Sequence, residues 1–290
     1  MGETGNRTNQ TSLHAADELK SFVAAAAREG FIALCDEADA AARFGVTVRE
    51  VEAVAFEVGI VPERYRRNGT TISPAHQRRL FESSVAVVGC GGLGGYVVEE
   101  LARLGVGTIM AIDPDAFEEH NLNRQLLSAV ATLGEPKAGA ARRRAAAINP
   151  ACEVTVLQEA FSEANGEALL LGVEVVVDGL DSIGTRMALA RTCTALGLPL
   201  VHGGIAGWYG QVITQFPGDG VIEAVYGRAP ADRGVESVAG NPSFTPAVVA
   251  SLQCAETCKV LLGEGRPLRK TMLFINLLDM EIERIDIPTE

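Results

Sequence analysis

Between residues 84 and 104 the chain passes directly from a short β-rich apolar run, Ser84–Val88, through the cluster Gly89-Cys90-Gly91-Gly92-Leu93-Gly94-Gly95 into an amphipathic stretch of helical period. A strand that turns at once into a helix through several glycines has few solutions. Gly89, Gly91 and Gly94 satisfy G-x-G-x-x-G. In that arrangement the backbone can approach a nucleotide closely, and the helix N-terminus favours negative charge. A second apolar run, Thr108–Ile112, ends at Asp113, 24 residues after Gly89, where an acidic residue takes ribose hydroxyls in dinucleotide folds. The alternation continues, with strands expected at 153–157, 173–177 and 200–202 and helices at 136–148, 162–171 and 183–196. This is the pattern of an α/β protein: a doubly wound, Rossmann-like, mostly parallel sheet. Beyond it, residues 210–216 alternate like an antiparallel strand and 217–245, rich in Gly and Pro, read as a long loop. A helix at 246–262 and closing antiparallel strands at 272–275 and 280–287 complete the expectation.

The first part of the chain is different. Residues 1–12 are polar and read as frayed. Helices are expected at 13–28, with Ser12 as cap and Gly30 as stop, and at 31–42. A third runs to Val58 from a capping box of Thr47 and Glu50. A further helix opens at Ser73-Pro74 and runs to about Glu82. The division expected is an N-terminal helical extension at 1–62 and a nucleotide-binding main domain at 63–290. The extension has a helix-turn-helix cadence but little positive charge, so it reads as an appendage packed on the main domain. The whole chain of 290 residues carries 25 Lys+Arg against 37 Asp+Glu, a formal charge of −12. That balance excludes a broad nucleic-acid surface. No apolar run approaches the ~20 residues of a membrane span. There is no apolar signal core near the start, and Asn6 occupies the place where a myristoylation signal needs Ser or Thr. Six dispersed cysteines without C-x-x-C fit a reduced, cytoplasmic protein.

Up to Asp113 a nicotinamide-dependent oxidoreductase and an ATP enzyme look alike. The block Asp113–Leu127, DPDAFEEHNLNRQLL, separates them. Asn121, Arg124 and Gln125 have no evident use in hydride transfer, whereas a guanidinium can fork across phosphate oxygens. Lys137, one of only four lysines, starts a helix. Asp178 and Asp181, in DGLDS, fall at the carboxyl end of a strand, the edge where doubly wound sheets bind ligands. A carboxylate facing a triphosphate is a natural Mg²⁺ ligand.

With these residues assembled, residues 63 to 287 resemble the ThiF/MoeB/HesA family, relatives of ubiquitin-activating enzymes. The segment Arg64-Tyr65-Arg66-Arg67-Asn68 is similar to the family's R-Y-x-R-Q motif, with Asn68 in place of Gln. The resemblance implies an adenylyltransferase that uses ATP and Mg²⁺ to activate the C-terminal Gly-Gly carboxylate of a small ubiquitin-like or sulfur-carrier protein. It implies nucleotide contacts from Gly89, Gly91, Gly92, Asp113, Asn121, Arg124, Gln125, Lys137 and Asp181, with Mg²⁺ on Asp181. The catalytic group would be Arg124, Lys137, Asp181 and Arg67, the last reaching into the partner's site in a homodimer. Adenylation of a peptide or of a tRNA-linked acid is the alternative within the same chemistry. A nicotinamide-dependent oxidoreductase or a non-catalytic binding partner are the alternatives outside it.

The chain departs from the family in three places. Many members carry two C-x-x-C pairs for zinc, but only Cys254 and Cys258 occur in the corresponding stretch, so no zinc is expected. Residues 216–242 contain no cysteine, so no internal thioester is expected. Ser182 follows Asp181 where the family often has Asn.

Overall fold

The computed structural model describes residues 4–227 and 239–288. An eight-stranded sheet dominates it, ordered β10-β9-β8-β7-β6-β3-β4-β5. Strands β3 (Ser84–Val88), β4 (Thr108–Ile112), β5 (Glu153–Leu157), β6 (Val175–Asp178) and β7 (Leu200–Ala206) run parallel. Strands β8 (Tyr209–Gln215), β9 (Thr271–Asn276) and β10 (Glu281–Asp286) continue the sheet antiparallel. The doubly wound, mostly parallel sheet with antiparallel C-terminal strands is thus the observed fold.

Strand alternation divides the core. Val85 and Val87 of β3 join helices α4 (Pro74–Glu82), α5 (Gly94–Leu104), α6 (Lys137–Ile148) and α10 (Phe244–Leu262) on one face. Ala86 and Val88 join α7 (Glu163–Leu169), α8 (Ile183–Leu196) and α9 (Val221–Tyr226) on the other. Successive side chains of a strand point to opposite faces, so a run without polar residues is what a sheet covered on both sides requires. Cys254 lies in the first of these cores, with Cys258 packed against it.

Strand order reverses around β3. The chain moves outward through β4 and β5, then returns to place β6 on the other side of β3. The loops after β3 and β6 diverge there and leave a crevice at the carboxyl edge.

The extension forms α1 (Thr4–Ala26), α2 (Leu34–Phe44) and α3 (Val48–Glu57) around their own small core, which includes Val23, Ile32, Ala40 and Val51. The Thr47–Glu50 capping box is present, as is the Ser73 cap with Pro74 inside α4. Three expectations need correction. Helix α1 begins at Thr4, so Ser12 lies within it and does not cap it. Of the frayed segment expected, residues 1–3 lie outside the described residues. Phe31–Ile32 is not helical but a short strand, β1, paired parallel with β2 (Val61–Pro62). Glu29 and Gly30 take positive φ and turn the chain into that pairing, a tertiary contact that local periodicity does not encode. Finally, the stretch 217–245 contains helix α9. Val221 and Ile222 bury completely beneath β8, and the Ile222 N–H donates to Gln215 Oε1 at 2.8 Å. Residues 228–238 of that expected loop lie outside the described residues.

Among the described residues, no helix is long and apolar enough to cross a membrane.

Candidate active site

The crevice at the strand ends holds a cavity of about 590 Å³, within the range of small-molecule sites. Its floor is the glycine loop. Gly89 has φ +90°, and a Cβ there would lie 2.7 Å from the Gly179 carbonyl oxygen. A Cβ on Gly94 would lie 1.7 Å from the Gly89 carbonyl oxygen. These two glycines let the β3 and β6 loops touch and close the turn into α5. Gly92 is different, because its nearest neighbours would be Pro246 Cβ at 3.8 Å and the Arg124 stem at 3.9 Å. Nothing in the protein itself forbids a side chain there.

Asp113, buried at the end of β4, braces this loop. Its Oδ2 accepts from the Cys90 N–H at 2.7 Å and its Oδ1 from the Asp115 N–H at 2.8 Å. Burial pushes its pKa up, while the Cys90 amide and the Lys137 ammonium pull it back. Each carboxylate oxygen keeps acceptor capacity beyond one bond, so bracing the loop and holding a hydroxyl are compatible. Lys137, nearly buried at the start of α6, pairs through Nζ with Asp115 Oδ2 at 2.9 Å. Arg124 lines the cavity and donates from Nη1 to the His120 carbonyl at 3.1 Å and to Asn123 Oδ1 at 2.9 Å.

Asp181 is exposed on the loop after β6 and opens onto the cavity. Ser182, beside it, caps α8 by accepting from the Thr185 N–H. Mg²⁺ is held by one or two carboxylates together with substrate phosphates and waters, not by an all-protein cage. Asp181 is an exposed carboxylate on a cavity also lined by Arg124, Lys137 and Arg186, and such a group fits that ion. Among the described residues, no cluster of three or more metal-binding side chains exists.

The fold therefore gathers Gly89, Gly91, Gly92, Asp113, Arg124, Gln125, Lys137 and Asp181 around one cavity. It does not bring Asn121 or Arg67 to it. Asn121 is buried in the turn below, where its Oδ1 accepts from the Glu118 N–H at 2.9 Å and its carbonyl accepts from the Gln125 N–H. It shapes the loop that carries Arg124 and Gln125. Arg67 is exposed and lies apart from the cavity of its own chain. Its neighbours are firmly fixed. Arg64 pairs with the buried carboxylates of Glu37 and Glu52, and Tyr65 Oη accepts from Asn149 Nδ2 at 2.8 Å. Arg66 pairs with Glu29 at 3.1 Å, and Asn68 Nδ2 donates to Gln77 Oε1 at 2.8 Å.

Two cationic-site features escaped the sequence reading. Asp115, the second acid of Asp113-Pro114-Asp115, is the partner of Lys137. Arg186, buried on the first turns of α8, lines the cavity beside Asp181. Its position five residues after Asp181, on the helix opening at the same edge, was the available signal. No cysteine lines the cavity among the described residues. Cys90 points into the core beneath the loop, and burial raises its thiol far above the ordinary value, leaving it an inert packing residue.

Comparison with known proteins adds the following. The ThiF family model matches residues 65–290. The chain is 34% identical over 231 residues to the SAMP-activating enzyme E1 of Haloferax volcanii, covering 78% of this chain and 86% of that protein. It is 35% identical over 235 residues to the sulfur carrier protein adenylyltransferase of Thermus thermophilus, covering 78% and 87%. Among solved structures, E. coli MccB crystallised with AMPCPP and MccA superposes with a TM-score of 0.67 at 21% identity, covering 79% of this chain and 72% of MccB. At that identity the likeness concerns the fold.

Proposed function

The chain belongs to the ThiF family, and from that membership we propose that it adenylates the C-terminal Gly-Gly carboxylate of a small ubiquitin-like or sulfur-carrier protein. The activity is adenylyl transfer, as the name of the Thermus thermophilus relative states. The observation that carries the reading is the convergence of Lys137, Arg124 and Asp181 on one cavity floored by the glycine loop.

The chemical problem is electrostatic. A carboxylate must approach the α-phosphorus of ATP, itself part of a polyanion. A carboxylate oxygen bonds to that phosphorus, the bond to the bridging oxygen breaks, and pyrophosphate leaves with the electron pair. Preorganised positive charge lowers that barrier because it costs no reorganisation during the reaction. Arg124 and Lys137 supply it, Lys137 exchanging its bond to Asp115 for phosphate oxygens. Asp113 holds the ribose while it holds the loop, and the loop's backbone admits the phosphates at the N-terminus of α5. Mg²⁺ held by Asp181 would neutralise phosphate charge.

The same reading places Arg67 of a second copy in the site, so that the active form is a homodimer. The firmly held neighbours of Arg67, together with its exposure and its place outside its own chain's cavity lining, support that arrangement. It also divides the chain into the extension at 1–62 and the adenylyltransferase domain at 63–290. The absence of a cavity cysteine among the described residues supports release of the acyl-adenylate to an external nucleophile.

ATP–pyrophosphate exchange tests the proposal. Exchange should require a Gly-Gly-ended carrier, vanish when the two glycines are removed, and fall about 10²–10³-fold in Arg124→Ala. Exchange supported by an unrelated peptide carboxylate and not by any carrier would refute the substrate assignment.

A further inference from the structure

Leu180 immediately precedes Asp181, and both of its peptide groups are held by buried side chains. Its N–H donates to Asp178 Oδ1 at 2.8 Å, and its carbonyl accepts from Arg186 Nη2 at 2.5 Å. The two holders are themselves held. Asp178 Oδ2 accepts from His202 Nδ1 at 2.7 Å and lies 3.6 Å from Arg186 Nε. His202 Nε2 lies 3.0 Å from Tyr226 Oη, which also meets Arg186 Nη1 at 3.4 Å and the Gln211 side-chain amide.

Among the described residues, the contacts fit one arrangement of protons. Asp178 as a carboxylate only accepts, so Nδ1 of His202 carries the hydrogen and Nε2 offers a lone pair. Tyr226 then donates to Nε2, and its oxygen accepts from Gln211 and Arg186. Burial lowers the His202 pKa, consistent with this neutral tautomer. Five elements, β6, β7, β8, α8 and the end of α9, contribute to one chain of hydrogen bonds that ends on the backbone next to Asp181. Apolar residues of similar volume would stabilise such a place as well or better. A buried polar chain there serves geometry.

We propose that the buried chain Asp178–His202–Tyr226–Arg186 positions Asp181 for the cation that accompanies the nucleotide phosphates, with Tyr226, which does not line the cavity, as a positioning residue. The inference rests on the adenylation reading and adds to it the part that sets the cation dependence. Outer contacts of this kind fix a ligand whose own side chain is free.

The test is calorimetric titration of the full chain with ATP, at graded Mg²⁺ and with Mg²⁺ chelated. Wild type should bind ATP more tightly as Mg²⁺ rises, and Asp181→Asn should lose that enhancement. Tyr226→Phe should keep its Mg²⁺-free affinity within about twofold and need about tenfold more Mg²⁺ for half the enhancement, the effect expected from losing buried hydrogen bonds to a charged group. Gln211→Leu, which removes one donor to the same hydroxyl, should shift in the same direction by a smaller factor, and it carries the test if Tyr226→Phe does not fold. A wild-type Mg²⁺ dependence in these variants overturns the inference alone, as does an equal loss of affinity with and without Mg²⁺. A wild-type protein that binds no ATP at any Mg²⁺ concentration overturns the functional reading beneath it.

Discussion

Glu37→Gln should make the protein more stable above pH 7 while leaving it little changed near pH 5. Glu37 of α2 is fully buried and shares the Arg64 guanidinium with Glu52 of α3, also fully buried. One positive charge faces two acids, with Asp36 adding a further negative neighbour. Burial outweighs the Arg64 attraction and raises the Glu37 pKa from 4.5 to about 7. The native state therefore holds a proton there that the unfolded chain has already released. Stability from this group is complete below pH 4.5 and is lost as pH rises through 7. At about 1.36 kcal/mol per pH unit, the loss reaches roughly 3 kcal/mol. Glutamine mimics the neutral acid and removes the titration. Urea unfolding at pH 5, 6, 7 and 8, with the m-value monitored, measures it. The wild-type free energy should fall across this range relative to the variant, and the two curves should separate by roughly 3 kcal/mol at pH 8. A variant that is the less stable of the two at pH 8 would refute the reasoning, because Arg64 would then favour the ionised acid. Arg64 also anchors the segment that carries Arg67, the residue that the proposed dimer would lend to its partner.

Three other outcomes are expected. Gly94→Ala should abolish nucleotide binding and lower the melting temperature, since its Cβ meets backbone at 1.7 Å, whereas Gly92→Ala meets nothing closer than 3.8 Å and should fold normally; differential scanning fluorimetry with and without ATP compares them. Lys137→Gln should reduce carrier-dependent exchange by about 10²–10³-fold with an unchanged unfolding midpoint. Mixing Arg67→Ala with Lys137→Gln should recover exchange in the mixed dimer, because one of its two sites then has both residues; no recovery after subunit exchange, confirmed by native mass spectrometry, would place Arg67 outside the partner's site.

Much of the parallel sheet was legible because its signals are local. Ser84–Val88 and Thr108–Ile112 are short β-rich runs, and Gly94 answers to a backbone clash with Gly89 within the same turn. The cavity residues could be named for a related reason: strand ends and helix starts in a doubly wound sheet share one edge, so Asp113, Lys137 and Asp181 are brought together by topology alone.

Pairings between distant segments were not legible. The parallel pairing of Phe31–Ile32 with Val61–Pro62 depends on a partner some thirty residues away. Helix α9 exists because Val221 and Ile222 find a hydrophobic surface that only the folded sheet provides. Asn121 has the composition of a phosphate ligand, yet its side chain shapes a turn.

The amino-acid order alone determined the fold class, the family and the edge at which charge collects, because strand period, glycine sterics and motif spacing are properties of contiguous chain. Tertiary structure alone decided which polar groups hold which others. His202, Tyr226, Gln211 and Arg186 meet only after β6, β7, β8, α8 and α9 have packed, and hydrogen bonds made at about 3 Å cannot be read from residues that lie up to forty positions apart.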